Sequence, residues 1–391
     1  MFYNRGQMKI KEIENKLIYE IEVLKAPQGF LFAGFPRFNK LFGRDSLIVS
    51  WQLLDFDNSI CKKTLEILSK LQGKKIDFQK EEEPGKIIHE HSFKEKIHER
   101  FGPFPYYGSV DSTPLYLILF YFYFEKTKDK KFIKKFWKNI KLAINWIEKY
   151  GDKDKNLFIE YERKNPNGLY NQAWKDSDFI KPKTPIEIVE VQGYQYFALK
   201  KIAYLSKIIF KDKKFSQKLK ERAKKLKRKF NKEFWMEDKK FFALALDGDK
   251  KQIKYITSNP GHLLFTEIID KNKVDLVVKR LFAKDMWTKY GIRTHSELEE
   301  NFDPLSYHAG SVWPHDNWII AQGLKKLGYQ KEYNLIKNAL ISAYKYLGFL
   351  PEYYAVVNGK IEIKNLEKES DYPQAWSSGA LLNFLTESNF R

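Results

Sequence analysis

Ten consecutive residues, Leu115–Phe124, are all aliphatic or aromatic. Thr113 suits the N-cap of a helix and Pro114 its first position, so the run reads as a helix that starts there. A helix apolar on every face must be covered on every face. This one is too short to span a bilayer, so protein has to cover it. The next periodic segment, Lys131–Tyr150, has a different pattern: Phe132, Phe136, Ile140, Ala143 and Ile147 form one stripe and the other positions are polar. The alternation recurs. Ile186–Phe210 is strongly apolar, whereas Phe215–Phe234 carries one stripe (Phe215, Leu219, Ala223, Leu226, Phe230, Phe234) with lysines elsewhere. Leu47–Leu54 with Ile60–Leu71, His262–Ile269 with Val274–Phe282, and Tyr307–Leu327 with Glu332–Leu347 read as further pairs, and Pro373–Leu385 closes the chain. Buried helices alternating with one-sided helices describe an inner ring wrapped by an outer one. The expected fold is all-α, an (α/α)6 barrel with small β-hairpin excursions such as the Asp247-Gly248 turn inside Phe241–Thr257. An α-solenoid is the other architecture considered, but no fixed-period repeat supports it.

No linker-like or low-complexity stretch interrupts the pattern. Residues 29–391 are therefore read as one catalytic-type domain, and residues 1–28 as an N-terminal lead-in whose Met8–Leu24 segment is either helical or extended. The formal net charge is +20. Its lysines fall mostly on polar helix faces and match no nucleic-acid motif, so a solvated basic exterior is expected rather than nucleic-acid binding. Cys61 is the only cysteine, which excludes an intramolecular disulfide and suits a small buried residue. Met1–Lys25 shows no apolar signal-peptide core. No membrane association is expected, and the expected location is cytoplasmic.

Motif-rich loops precede the buried helices: around Arg44-Asp45, Glu83–His91, Tyr106–Asp111, Trp174–Asp176, Tyr307–Asn317 and Leu350–Tyr354. In a toroid they meet at one mouth. Carboxylates, amides, His, Trp and Tyr together suit a neutral polyhydroxylated ligand, with polar groups for hydroxyls and aromatic faces for the C–H side of a sugar ring. Glycoside hydrolysis needs a pair of carboxyl groups flanking the scissile bond. Asp176, beside Trp174, suits the general acid, because aromatic surroundings disfavour its ionised form. Glu352, in Leu350-Pro351-Glu352-Tyr353-Tyr354, suits the second carboxyl. His89, Glu90 and His91 invite a metal reading, but their spacing is not His-Glu-x-x-His. No metal is expected; a substrate-facing loop fits better. Asp45 or Ser46 could cap the helix that follows.

These motifs taken in order carry a resemblance. Phe42-Gly43-Arg44-Asp45-Ser46, Glu83–Glu90, Tyr106–Asp111, Asn171–Ser177, Glu190–Tyr194, Thr257–Leu264, Ser306–Asn317 and Pro373–Trp376 resemble the motif series of the amylo-α-1,6-glucosidase (glycogen-debranching) catalytic domain. The resemblance covers nearly the whole chain from Gly29 on. It implies an (α/α)6 barrel and an inverting glycosidase without metal or organic cofactor, with Asp176 as general acid and Glu352 as general base. It also implies a glucose subsite lined by Arg44, Asp45, Tyr107, Asp111, Trp174, Lys175, Gln192, His308, Trp313, His315 and Trp376. The mannosylglycerate and glucosylglycerate hydrolases are similar in fold and in the placing of the two carboxyls. Family members carry a sizeable N-terminal β-rich domain, where about 28 residues stand here.

The expected activity is exo-acting removal of α-1,6-linked glucose from glycogen-type or malto-oligosaccharide branches, with an α-glucan as substrate and possible functional pairing with a separate glucanotransferase. Hydrolysis of small α-glycosides such as glucosylglycerate or mannosylglycerate is the alternative among enzymes. Its best support is the short N-terminal stretch. A basic, non-catalytic binding protein for glycan or nucleic acid is the alternative from another class, but it leaves both carboxyls without a task. So does a phosphorylase for Glu352.

Overall fold

The computed structural model describes residues 8–363 and 370–387; residues 1–7, 364–369 and 388–391 of the two expected segments lie outside them. The helices are α1 (Ile10–Leu24), α2 (Gly43–Gln52), α3 (Asn58–Leu71), α4 (Ser112–Thr127), α5 (Lys130–Trp146), α6 (Val189–Phe210), α7 (Lys213–Glu233), α8 (Lys271–Leu281), α9 (Pro314–Leu327), α10 (Gln330–Leu347) and α11 (Ala375–Thr386).

They form a closed ring. α2 packs on α4, α4 on α6, α6 on a short 3₁₀ helix at Asn259–Leu263, that turn on α9, α9 on α11, and α11 back on α2. Outside them lie α3, α5, α7, α8, α10 and α1, each against its inner neighbour. An open solenoid has no such return contact. The apolar run of α4 is buried as expected, from Leu115 through Phe120. Each striped helix turns its stripe inward: Leu219, Ala223, Leu226 and Phe230 of α7 are buried among the core residues.

The connections are short at one end of the ring and long at the other. Lys128-Asp129 alone joins α4 to α5, and Lys211-Asp212 alone joins α6 to α7. Asp129 accepts from Phe132 N (2.9 Å) and Asp212 from Phe215 N (2.9 Å), each capping the outer helix of its hairpin. Gly328 and Gly348 end α9 and α10 with φ of +87° and +85°, a left-handed conformation that glycine adopts without steric cost. The long segments, by contrast, all lead into inner helices. The motif-bearing loops therefore gather at the end where the inner helices begin.

Four local readings change. The helix after Phe42 begins at Gly43, so Arg44 and Asp45 sit inside its first turn and neither Asp45 nor Ser46 caps it. Asp111, not Thr113, is the N-cap of α4; Thr113 Oγ1 instead accepts from Ile87 N at 3.0 Å. The fourth inner element is a five-residue 3₁₀ turn rather than a full helix. Met8–Leu24, assigned to the lead-in, is helical and packs on α11 as the outer partner of the sixth pair. Glu20 of α1 accepts from Tyr372 Oη (2.8 Å) and Ser378 Oγ (2.6 Å), and Gln52 donates to Trp376 O (3.0 Å), so the two ends of the chain are fastened together. The expected hairpin is present: Ala245-Leu246 pairs antiparallel with Gln252-Ile253 across the Asp247-Gly248 turn. Among the described residues no helix is long and apolar enough to cross a membrane.

Candidate active site

A cavity of about 490 Å³ opens at the mouth of the ring. Arg44, Asp45, Trp174, Asp176, His308, Trp313, Glu352 and Trp376 all line it. They come from the first turn of α2, the Trp174–Asp176 loop, the stretch before α9, the segment after α10, and the first turn of α11. Close packing places the first of these. A Cβ on Gly43 would lie 2.1 Å from Ile88 O, so only glycine lets α2 begin against that segment and aim Arg44 inward.

Asp176 and Glu352 share this cavity but have different supports. Asp176 Oδ2 accepts from Arg44 Nη1 at 3.1 Å, and its side chain keeps 23% of its surface, enough for a ligand to reach it. Burial raises its pKa above the usual carboxylate range, against the pull of Arg44. Glu352 is 2% exposed. Its Oε1 accepts from Tyr307 Oη at 2.5 Å and its Oε2 from Arg37 Nη2 at 3.3 Å. Burial pushes it up to about 8, with Tyr307 pulling it down. Asp45 is pushed up to about 7, again by burial first. The site thus confines several carboxyls in a poorly solvated space, where their protonation states are easily set by neighbours.

Trp174 is the hub of the aromatic wall. It meets Trp313 (5.7 Å) and His315 (5.0 Å) edge-on and stacks with His262 (5.8 Å). Arg44 Nη2, Trp174 Nε1, His308 Nε2 and Trp376 Nε1 are buried polar atoms of cavity-lining residues that find no partner among the described residues. Unsatisfied buried polar atoms are rare and call for an explanation. A ligand rich in hydroxyl groups supplies the missing partners.

The other residues expected to bind substrate stand behind the wall. Asp111, 0% exposed, accepts from Arg44 Nε at 2.7 Å and from Ser109 Oγ at 2.6 Å, so it holds Arg44 rather than a ligand. Tyr107 donates to Leu71 O at 2.7 Å, away from the cavity. Gln192 uses its whole amide on backbone: Oε1 accepts from Ile159 N, and Nε2 donates to Ile159 O and Ile188 O. Lys175 turns inward onto Thr294 O, and burial brings its pKa down to about 7. His315 lies behind Trp376, stacked at 3.7 Å. His89 and Glu90 line the cavity, but His91 does not. Among the described residues these three form no cluster close enough to hold a metal ion. The acidic cluster found elsewhere, Asp154, Glu160 and Glu187, is met by the Lys250 ammonium at 2.7, 3.2 and 2.5 Å.

Sequence reasoning missed Arg37, Lys40, His98 and Arg100, all of which line the cavity, and Tyr307, which lay within a flagged loop without being singled out. Arg37, Lys40 and Arg100 lie in irregular segments and His98 in a two-residue strand, too short for periodicity to carry a directional signal. Tyr307 stands directly before His308, and that adjacency was the available clue.

A closed ring of helical hairpins whose mouth holds one buried and one ligand-accessible carboxyl among indole faces and unpartnered donors is the arrangement of an (α/α)6 glycoside hydrolase. The chain belongs to the mannosylglycerate hydrolase MGH1-like glycoside hydrolase domain family, whose model matches residues 44–377. The motif series had pointed first to the debranching glucosidases. The family shown is instead the mannosylglycerate hydrolase type, which the sequence reading placed alongside them. Among curated proteins, a mannosylglycerate hydrolase of Rubrobacter radiotolerans is 23% identical over 139 residues, covering 34% of this chain and 30% of that protein. Mannosylglycerate hydrolase MGH1 of Selaginella moellendorffii is 29% identical over 104 residues, covering 25% and 20%. The aligned stretches thus span less than a third of either relative's length. The structure is similar to that of the GH63 mannosylglycerate hydrolase from Thermus thermophilus in complex with Tris and D-glycerate, with a TM-score of 0.74 and 13% identity, covering 96% of this chain and 100% of that one.

Proposed function

We propose that this chain hydrolyses a small α-glycoside whose aglycone carries a carboxylate, mannosylglycerate or glucosylglycerate, with inversion at the anomeric carbon. Asp176 protonates the glycosidic oxygen as the aglycone leaves. Glu352 takes a proton from a water that attacks from the opposite ring face. Carboxyls and water alone carry the reaction. The raised pKa of Asp176 suits an acid that must hold its proton near neutrality, and the bonds from Tyr307 and Arg37 favour the charged form of Glu352.

The observation that carries this reading is the composition of the one cavity both carboxyls line: Lys40 and Arg100 join them there. A volume of about 490 Å³ suits a sugar with a short aglycone, and the cations suit a carboxylate on that aglycone. The curated relatives named above support the same choice. Trimming of α-1,6-linked glucose from a glucan, the first expectation from the motifs, would leave those cations facing a neutral polymer.

The test is the product released from a panel containing mannosylglycerate, glucosylglycerate, isomaltose-type oligosaccharides and a branched dextrin. Glycerate release, lost by orders of magnitude in Asp176→Asn and in Glu352→Gln with the fold intact, is the expected result. Glucose release from dextrin without glycerate release would restore the debranching reading. Near-normal turnover of either variant would remove the assignment of the two carboxyls.

A further inference from the structure

A buried aspartate stands beside the proposed base, where its charge works against the base's ionisation. Asp371 is 0% exposed, and its N–H and carbonyl both bond to Glu352: Asp371 N donates to Glu352 Oε2 (3.4 Å), and Glu352 N donates to Asp371 O (2.9 Å). Like charges at this range raise the pKa of the carboxyl that must stay ionised, so the pair needs a reason. Arg37 supplies it. Asp371 accepts from Arg37 N (3.2 Å), Phe38 N (3.1 Å) and Arg37 Nε (2.8 Å), and the same guanidinium extends to Glu352 Oε2 at 3.3 Å. The loop carrying Arg37 is stitched to the strand-like segment around Asp371. Phe35 N donates to Pro373 O, Tyr372 N to Phe35 O, and Ala375 N to Ala33 O. The N-terminal loop thereby presents one cation to the base through one buried acceptor.

We propose that Arg37, oriented by Asp371, is the positioning residue that favours the ionised form of Glu352 and holds Glu352 Oε2, leaving Tyr307 to hold the other oxygen. This rests on the assignment of Glu352 as general base. Among the described residues the titratable groups facing Glu352 are Tyr307 from the loop before α9, Arg37 from the N-terminal loop, and Asp371 from the segment before α11. Asp176 lies on the same cavity and adds its charge at Tyr307. Of these, Arg37 alone is cationic, and burial favours the neutral carboxyl. Without Arg37 the base stays protonated to higher pH, and the acidic limb of kcat/KM moves up.

The experiment compares Arg37→Gln, Arg37→Lys and Asp371→Asn with the wild-type enzyme. One readout is the pH profile of kcat/KM on a neutral aryl α-glycoside, which has no carboxylate for Arg37 to bind. The other is an infrared titration of the protonated carboxyl band, assigned to Glu352 by its loss in Glu352→Gln. The infrared readout needs no turnover, so it reports on this inference even if the proposed substrates are wrong. For Arg37→Gln the limb and the infrared midpoint are expected to rise by about one pH unit, a tenfold loss of kcat/KM at any pH on the acidic side, with the plateau retained within a few-fold. Arg37→Lys is expected to recover part of the shift, and with a partly exposed side chain it tests the idea without threatening the fold. Asp371→Asn separates orientation from charge: loss of a neighbouring negative charge alone would lower the midpoint, whereas loss of the oriented guanidinium raises it. An unmoved midpoint in Arg37→Gln would overturn the inference, and a lowered one in Asp371→Asn would overturn the part assigned to Asp371.

Discussion

Replacing Arg44 with methionine keeps most of its bulk and removes a charge that two carboxylates share. Arg44 is 4% exposed and bonds Asp111 at 2.7 Å and Asp176 at 3.1 Å. Asp111 is fully buried, with Ser109 as its remaining side-chain donor. Removing one partner of a buried ion pair costs roughly 3–5 kcal/mol. At about 2.1 cal/mol/K of unfolding entropy per residue, a chain of 391 residues loses about 1.2 °C of Tm per kcal/mol, so the melt should fall by about 4–6 °C. The second effect is on pH dependence. Arg44 favours the charged form of Asp176, so its loss raises the pKa of that group. A charge-assisted hydrogen bond of about 1.5–3 kcal/mol corresponds to a rise of about 1–2 units at 1.36 kcal/mol each. The general acid works protonated, so the basic limb of kcat/KM should move up by that amount while the plateau falls, because a donor to the sugar is also lost. The assay is a pH–rate profile on the glycerate glycoside beside a thermal melt. A basic limb that stays put or moves down would refute the assignment of Asp176 as the acid tuned by Arg44, whatever the change in Tm.

Three further outcomes follow from the same geometry. Glu352 titrates near 8 in the fold against an ordinary value of 4.5, so between these the folded state holds a proton that the unfolded chain releases. Its contribution therefore makes stability fall as pH rises through that window, and Glu352→Gln should stabilise the fold at pH 8 by up to about a few kcal/mol, read as a higher Tm, but not near pH 4.5; a pH-independent difference would contradict this. Lys40→Ala together with Arg100→Ala should raise KM for the glycerate glycoside by about five- to thirty-fold, at roughly 0.5–1 kcal/mol per charge, and leave a neutral aryl glycoside unchanged; equal effects on both substrates would argue against an anionic aglycone. Gly43→Ala would place a Cβ 2.1 Å from Ile88 O and 3.0 Å from Ser112 Oγ, shifting the start of α2 and Arg44 with it. A loss of about 1–3 kcal/mol in stability, with impaired turnover, is expected in a denaturant melt and a rate assay.

Hydrophobic periodicity was enough to separate inner from outer helices, because the width of the apolar stripe reports directly how much of a helix is covered. Leu115–Phe124 and the stripe from Phe215 to Phe234 show this, and the cavity does bring together Asp176 and Glu352, which local chemistry and the motif series had paired across 176 positions of sequence. The same motifs could not separate debranching glucosidases from mannosylglycerate hydrolases, since both resemblances rest on the same motif residues, while Lys40, His98 and Arg100, which also line the cavity, lie outside the quoted motifs. The ring itself was expected, but the partner of its last inner helix was not. α1 pairs with α11, and Arg37 meets Asp371, only because the last inner helix returns to the first, a contact 334 residues apart for which no local pattern exists. Within the loops, adjacency misled: Lys175 precedes Asp176 yet turns into the core, and Gln192 sits in a motif yet spends its amide on backbone. The sequence alone determined most of the helical segments, how deeply each is covered and which acids were candidates for chemistry, because these depend on residue type and short-range spacing. Only the tertiary structure decided which side chains face the cavity and which hold others in place, because direction in an irregular loop is set by the distant surfaces it packs against.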